Sequence, residues 1–276
     1  MKLALPLLLF TDLDGTLLDH YDYSWSAASE ALAALKVHRV PIIFNTSKTL
    51  EESLGVWRKL ELGSPIVFEN GAGIALPVKE WSEPDVDWSR EDEFWVKSCA
   101  VSYRDVRAAL LCLRRDAEFR FTGFGDMDVD QVQKLTGLGR LDASSALRRR
   151  YCEPLIWRDT EERFDEFTVA LQTLGLTHTQ GGRFLHVMGP ANKGSATRWL
   201  ADCYKPKPQL VALGDGQNDL PMLSQADVGV LVRSPAHDLP HFPVAQQPPC
   251  FRVSDEYGPR GWNSAVLAIL EELQGG

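Results

Sequence analysis

Little in this 276-residue chain is basic, cross-linkable or long and greasy, and each shortage excludes a class of function. Lys and Arg number 29 against 38 Asp and Glu, leaving a net charge of −9 and a pI near 5.2. A field of that sign repels nucleic acid and anionic membrane, so any phosphate handled here must meet a local positive centre. The five cysteines (Cys99, Cys112, Cys152, Cys203, Cys250) are scattered and form no C-x-x-C pair. That spacing argues against a disulfide framework or a structural zinc site and for a reducing, cytoplasmic location. No run reaches the roughly 18 apolar residues of a membrane span. The opening "MKLALPLLLF" is short, is broken by Pro6 and lacks a small-residue cleavage pattern, so it reads as a buried strand rather than a signal peptide. Repeats and low-complexity tracts are also missing. The length allows one large domain or two moderate ones, in a monomer or a homodimer.

What the chain does have is alternation. Leu7 to Thr11 is a continuous apolar run, as a central parallel strand covered on both faces requires. "SWSAASEALAALK" reads as a helix, "VPIIFNTSKT" as a strand, "TLEESLGVWRKL" as a helix and "SPIVFENGAG" as a third strand closed by glycines. This order predicts an α/β fold with a doubly wound, mostly parallel sheet. After Pro84 the texture becomes acidic and irregular. Three helices follow in "YRDVRAALLCLRRDAEF", "DVDQVQKLTGLG" and "DASSALRRRYCE", then strands "PLIWRD" and "GGRFLHVMG" around the helix "ERFDEFTVALQTLG". From "NKGSATRWLADCY" onward the sheet pattern returns. The chain thus divides into a sheet domain, residues 1–84 and 186–276, and an inserted α+β cap domain, residues 85–185.

In open α/β sheets ligands bind beyond the carboxyl ends of the strands. Those ends carry Asp12 and Asp14, then Thr46, Ser47 and Lys48, then Glu69 and Asn70. Asp12 and Asp14 share one side of an extended segment, and Gly15 lets the backbone turn around a ligand. Alone, such a pair fits a solvated turn equally well. A later strand, however, ends in "GDGQND", which adds Asp215 and Asp219 to the same edge. Four carboxylates together require a cation, and an all-oxygen donor set selects Mg²⁺. The calcium-loop alternatives fail: Leu220 stands where the first would need glycine, and Gln131 where the Asp126–Asp130 run would. That second acidic run is read as solvated surface. Lys193 opens a helix in "NKGSA", an unfavourable place for a cation unless carboxylates and a phosphate surround it. The order K-G-S excludes a P-loop.

"DLDGT", "NTSK", "NKG" and "GDGQND", in this order, resemble the four motifs of the haloacid dehalogenase superfamily of phosphatases. "TSKT", "ENGAG", "EPLIWRD", "GGRFLHVMG", "NKGSA" and "LGDGQNDLPML" resemble, further, its mannosyl-3-phosphoglycerate phosphatase family, over nearly the whole chain from Leu7 to about Val232. One departure is Asn192, where that family commonly has an acidic residue before Lys-Gly. The resemblance implies a phosphoric monoester hydrolase in which Asp12 attacks phosphorus and forms an aspartyl-phosphate. Asp14 would give a proton to the departing oxygen and take one from the attacking water. Lys193, Thr46 and Mg²⁺, held by Asp12, Asp14, Asp215 and Asp219, would neutralise the phosphoryl oxygens. Ser47 and Lys48 would join Thr46 around the phosphorylated sugar-acid substrate.

The substrate's carboxylate makes Arg158 and Arg183 the first cap candidates. Gly181 and Gly182 would allow close backbone approach, and Glu69 and Asn70 could bind sugar hydroxyls. A structural ion pair or a turn explains each of these equally well. Arg148 to Arg150 read as a solvated helix face, and His186 as a framework residue. The rival functions are a broader sugar-phosphate or glucosyl-3-phosphoglycerate phosphatase, a phosphomutase, and a non-catalytic binding protein. The last should have lost Asp12, Lys193 or the second acidic motif, and none is lost.

Overall fold

The computed structural model describes residues 6–84 and 87–275. Residues 1–5 of the expected first strand, and the expected boundary at residue 85, lie outside that set. The strands are β1 (Leu7–Thr11), β2 (Ile42–Asn45), β3 (Ile66–Phe68), β4 (Gly73–Pro77), β5 (Trp88–Glu91), β6 (Phe94–Ser98) and β7 (Phe121–Gly123). After them come β8 (Cys152–Trp157), β9 (Thr177–Gly181), β10 (Phe184–Met188), β11 (Gln209–Gly214), β12 (Val228–Arg233) and β13 (Cys250–Tyr257). Helices α1 (Ser29–His38), α2 (Leu50–Lys59), α3 (Tyr103–Asp116), α4 (Val129–Thr136) and α5 (Arg140–Ala146) precede the return to the sheet. They are followed by α6 (Glu161–Thr173), α7 (Lys193–Asp202), α8 (Leu220–Leu223) and α9 (Gly258–Gly275).

A nine-stranded sheet runs in the order β13-β12-β11-β1-β2-β3-β4-β6-β5. Its pairings from β13 through β3 are parallel, as the expected α/β class requires, and β4, β5 and β6 pair antiparallel. The period of two explains why β1 is apolar throughout. Leu7 and Leu9 enter a core with Phe44, Phe68 and Trp262 under α1, α2 and α9, whereas Leu8 and Phe10 enter another with Ile43, Leu200 and Leu220 under α7 and α8. Trp262, fully buried, donates its Nε1–H to Thr11 Oγ1 at 3.0 Å and ties the last helix to the first strand. A truncation such as Phe10→Ala costs about 3–5 kcal/mol at a site of this kind.

A second, antiparallel sheet has the order β7-β8-β10-β9 and packs Leu155, Leu185 and Val187 against Val106, Phe167 and Leu171 of α3 and α6. Two expectations need correction. "SPIVFENGAG" is not one strand: the chain reverses at Glu69–Gly71, where Glu69 and Asn70 have φ of +48° and +59°, into antiparallel β4. The hairpin β5–β6 extends the main sheet, and β10 through Met188 belongs to the second one. We therefore place the insert at about residues 99–188 rather than 85–185. Asp126, Asp128 and Asp130 are all exposed, as a solvated run would be; Arg107 and Arg114 bind Asp126 at 2.7 and 2.5 Å, and Asp128 caps α4.

Candidate active site

Register builds the floor of the site. The Asp12 N–H donates to Leu213 O of β11 at 2.9 Å, so the residue after β1 lies beside the end of the strand that leads into Asp215. Gly15, at φ +80°, follows at once, and a Cβ there would lie 2.5 Å from Asp215 Oδ2. The "DLDGT" stretch therefore needs glycine because two strand ends converge on it. Asn192 caps α7 by accepting from the Ser195 N–H at 2.9 Å, a role an amide oxygen fills as well as a carboxylate. The departure at Asn192 thus leaves the helix start intact.

Lys193, with no solvent exposure, donates from Nζ to Asp12 Oδ1 and Asp219 Oδ1, both at 2.6 Å. Asp219 Oδ2 accepts from the Asp215 and Gly216 N–H groups at 3.0 and 2.9 Å, which closes the "GDGQND" turn. Asp215 accepts from Thr16 Oγ1 at 3.1 Å and lies 3.1 Å from His237 Nε2. Burial raises the Asp12 carboxyl pKa well above the ordinary range against the pull of Lys193, and neighbouring Asp219 and Asp215 raise it further. Asp219 is raised for the same first reason. Burial pulls the Lys193 ammonium down, but Asp12 and Asp219 outweigh it and the net shift is upward. The bond to Asp215 lifts His237 to about 9.

These charges test whether a metal fits. Asp12, Asp215 and Asp219 each offer an oxygen within 4.8 Å of the others, and all three are buried. One buried ammonium leaves this group negative, a costly state without another cation. An all-oxygen donor set of buried carboxylates suits Mg²⁺.

The cleft above this floor has a volume of about 100 Å³ and is roofed by the second sheet. Asp12, Asp14, Ser47, Lys48, Asp215, Gly182 and Arg183 all line it. Lys48 Nζ pairs with Asp14 Oδ2 at 2.8 Å, while Asp14 Oδ1 is buried with no partner among the described residues. Arg183 donates to the carbonyls of Leu135 and Thr136 at 3.1 and 3.0 Å, at the C-terminus of α4. Gly181 also lines the cleft, and Gly182 has φ +53°.

Other expected residues lie elsewhere. Thr46 is buried beneath its loop, its Oγ1 accepting from the Lys48 N–H at 3.2 Å, and it does not line the cleft. Glu69 is no sugar ligand: fully buried, it accepts from the backbone N–H groups of Arg150, Tyr151 and Cys152 at 2.9, 3.0 and 2.8 Å. Asn70 sits behind the floor, accepting from Asn218 Nδ2 at 2.9 Å. Arg158 is exposed past the end of β8 and is not part of the cleft wall.

The solvated-face reading of Arg148 to Arg150 fails for two of the three. Arg149 has a side chain only 5% exposed, donates to Ser47 O at 2.7 Å and lines the cleft. Arg150 bridges Glu51 and Glu91, both at 2.7 Å. His186 is buried beside the cleft, and burial lowers it to about 3, so it stays neutral, as a framework histidine would. His237, Thr16 and Tyr23 were not anticipated. For His237 a signal existed, because it follows β12, the parallel neighbour of β11, and the loop there must reach the same edge.

Three comparisons bear on this geometry. The family described as haloacid dehalogenase-like hydrolase matches residues 9–84 and 153–239. A glucosyl-3-phosphoglycerate/mannosyl-3-phosphoglycerate phosphatase of Methanococcoides burtonii is 36% identical, over 95% of this chain and 97% of its own. Among solved structures, a Thermoplasma acidophilum protein aligns with a TM-score of 0.67 at 15% identity, over 98% of this chain and 99% of its own. A sugar phosphatase of HAD subclass IIB aligns at 0.64 and 17% identity, over 96% and 98%. The sucrose-phosphatase of Synechocystis sp. PCC6803, solved with sucrose and phosphate, aligns at 0.59 and 15%, over 99% of both chains. At these identities the structural matches speak for the fold.

Proposed function

The chain belongs to the haloacid dehalogenase-like hydrolases and, within them, to the mannosyl-3-phosphoglycerate phosphatase family, and we propose that it is a magnesium-dependent phosphatase releasing mannosylglycerate and phosphate from mannosyl-3-phosphoglycerate. The observation that carries this reading is Lys193, wholly buried between Asp219 and Asp12, the latter in the lining of a roofed cleft. A buried ammonium flanked by a strand-end carboxylate suits an anion that enters, exchanges its leaving group and departs.

In this reading Asp12 attacks phosphorus with its Oδ2, the oxygen Lys193 does not hold, and forms an aspartyl-phosphate. Lys193 keeps the carboxylate oriented and offsets charge on the equatorial oxygens. The Asp14 carboxyl, which lines the cleft, carries the proton to the departing sugar-acid oxygen, while Lys48 holds its Oδ2. The same carboxylate then takes a proton from the water that attacks the aspartyl-phosphate. Asp12, Asp215 and the Asp14 backbone carbonyl would hold Mg²⁺, with Asp219 beside them. The ion, when bound, supplies positive charge to the transferring group. Arg183 and Arg149 in the cleft wall read the substrate carboxylate, and the free thiols support a cytoplasmic location.

The test is phosphate release with Mg²⁺ from mannosyl-3-phosphoglycerate, glucosyl-3-phosphoglycerate, 3-phosphoglycerate and mannose 6-phosphate. A large kcat/KM preference for the first is expected. Equal preference for the glucosyl compound would broaden the substrate, and equal rates on all four would reduce the enzyme to a general phosphatase.

A further inference from the structure

A second cavity, of about 350 Å³, lies behind the catalytic floor, with Lys193, Asn218, Asn70 and Ala191 in its wall. Strand β9 divides it from the front cleft. The last residue of β9, Gly181, lines the cleft, whereas Thr177, His178 and Thr179 line the rear cavity. Asn218 belongs to both walls. His178, Thr179, Asn192 and Pro221 are shared in turn with a wider surface groove of about 1330 Å³ between β9, α7 and the 241–247 loop.

Three features define the chemistry of this space. No Asp or Glu lines the cavity or the groove, in a chain that has 38 of them. The front cleft, by contrast, carries Asp12, Asp14, Glu52 and Asp215. The amino-terminal turn of α7, ten residues long, forms part of the rear wall and brings the positive end of a helix dipole to it. Finally, Asn70 is 1% exposed, and its Nδ2 has no partner among the described residues although its Oδ1 is held by Asn218. A buried amide donor left unpaired is unfavourable, and it lines the one wall where an acceptor can arrive.

We propose that inorganic phosphate leaves Lys193 and Asn218 through this acid-free rear cavity and groove, while the organic product leaves by the front cleft. The proposal rests on the phosphatase reading above, since phosphate is then the product set free beside Lys193. An anion going forward meets Lys48, Arg149 and Arg183, which hold it, as well as Asp14 and Glu52, whereas the rear wall offers hydroxyl and amide groups and then Arg198.

The experiment is single-turnover kinetics with Mg²⁺ on mannosyl-3-phosphoglycerate, following phosphate with a phosphate-sensing fluorophore and the organic product by quenched flow. Thr179→Trp obstructs the passage at the residue shared by cavity and groove. Arg198→Glu reverses the charge of an exposed groove residue without touching the core. In Thr179→Trp, organic product should form at the wild-type rate and phosphate release should slow at least about fivefold. In Arg198→Glu, release should slow about twofold at low salt and recover at high salt, because the charge is exposed. Phosphate appearing in step with organic product in both variants overturns the route, as does equal slowing of both products in Thr179→Trp. If the wild-type enzyme liberates no phosphate, the phosphatase reading itself has failed.

Discussion

The floor and the roof of the cleft hold their charges by different means. On the floor, Lys193 pairs with both Asp12 and Asp219 inside the protein, with N–O distances of 2.6 Å and almost no solvent, and offsets part of their charge. On the roof, Arg183 is steered by the backbone carbonyls of Leu135 and Thr136, which fix direction without cancelling charge, whereas Arg149 is held by Ser47 O and paired with Glu52 at 3.6 Å. A floor of that kind does chemistry on whatever phosphate reaches it, and the guanidinium charge of Arg183, held by carbonyls alone, can select the anion that is admitted. Between them Glu69 of the core grips three amides at the base of β8, so a buried carboxylate helps to anchor the second sheet to the first.

Breaking the floor should have the largest effect. Asp12→Asn removes the nucleophile and one of the crowded buried charges. It should lower kcat by at least about 10⁴-fold while far-UV circular dichroism and thermal midpoint stay at or above the wild-type values. Near wild-type turnover would show that Asp12 is not the nucleophile.

The anchor comes next. Glu69→Ala leaves three buried N–H groups without an acceptor and should cost about 2–5 kcal/mol of stability by urea unfolding. Glu69→Gln retains acceptor oxygen and should lose less than half of that. Equal losses would mean that the negative charge, not hydrogen bonding, is what matters there.

The roof should respond differently. Arg183→Ala is expected to raise KM for the sugar-acid substrate about 10–50-fold, on the order of one charge-assisted pair. Hydrolysis of p-nitrophenyl phosphate, which has no glycerate carboxylate, should stay within about twofold. A parallel loss on both substrates would place Arg183 in the framework.

The smallest effect is on stability against pH. The carboxyl pKa values of Asp12 and Asp219 are raised by burial, so their contribution is present below the ordinary carboxylate range and is lost as pH rises through the folded values. Metal-free protein should therefore melt a few degrees lower at pH 8 than at pH 5.5, and Mg²⁺ should restore more at pH 8. A gain from Mg²⁺ that is equal at both pH values would argue against ionised Asp12 and Asp219 as the destabilising pair.

The same contrast explains what could be read from sequence. The floor was legible because apolar strands ending in Asp12, Thr46 and Asp215 must place those ends on one edge, and because four carboxylates need a cation. Roof and hinge were not, because their roles depend on long-range contacts. Glu69 looked like a free rim carboxylate until the chain reversal at Asn70 and the arrival of Arg150–Cys152 were known. Arg149 looked solvated because "DASSALRRR" carries a helical pattern, yet α5 stops at Ala146 and the arginine turns inward. The insert's boundaries were missed for a related reason: an acidic, irregular stretch was taken for a domain boundary, while the hairpin after it pairs back onto β4.

The most direct measurement is to acid-quench the wild-type enzyme during turnover of mannosyl-3-phosphoglycerate with Mg²⁺ and weigh the peptide containing Asp12. One added phosphoryl group on Asp12, absent from Asp12→Asn, is the predicted result. A phosphoryl group on another residue, or undiminished turnover by Asp12→Asn, would contradict it.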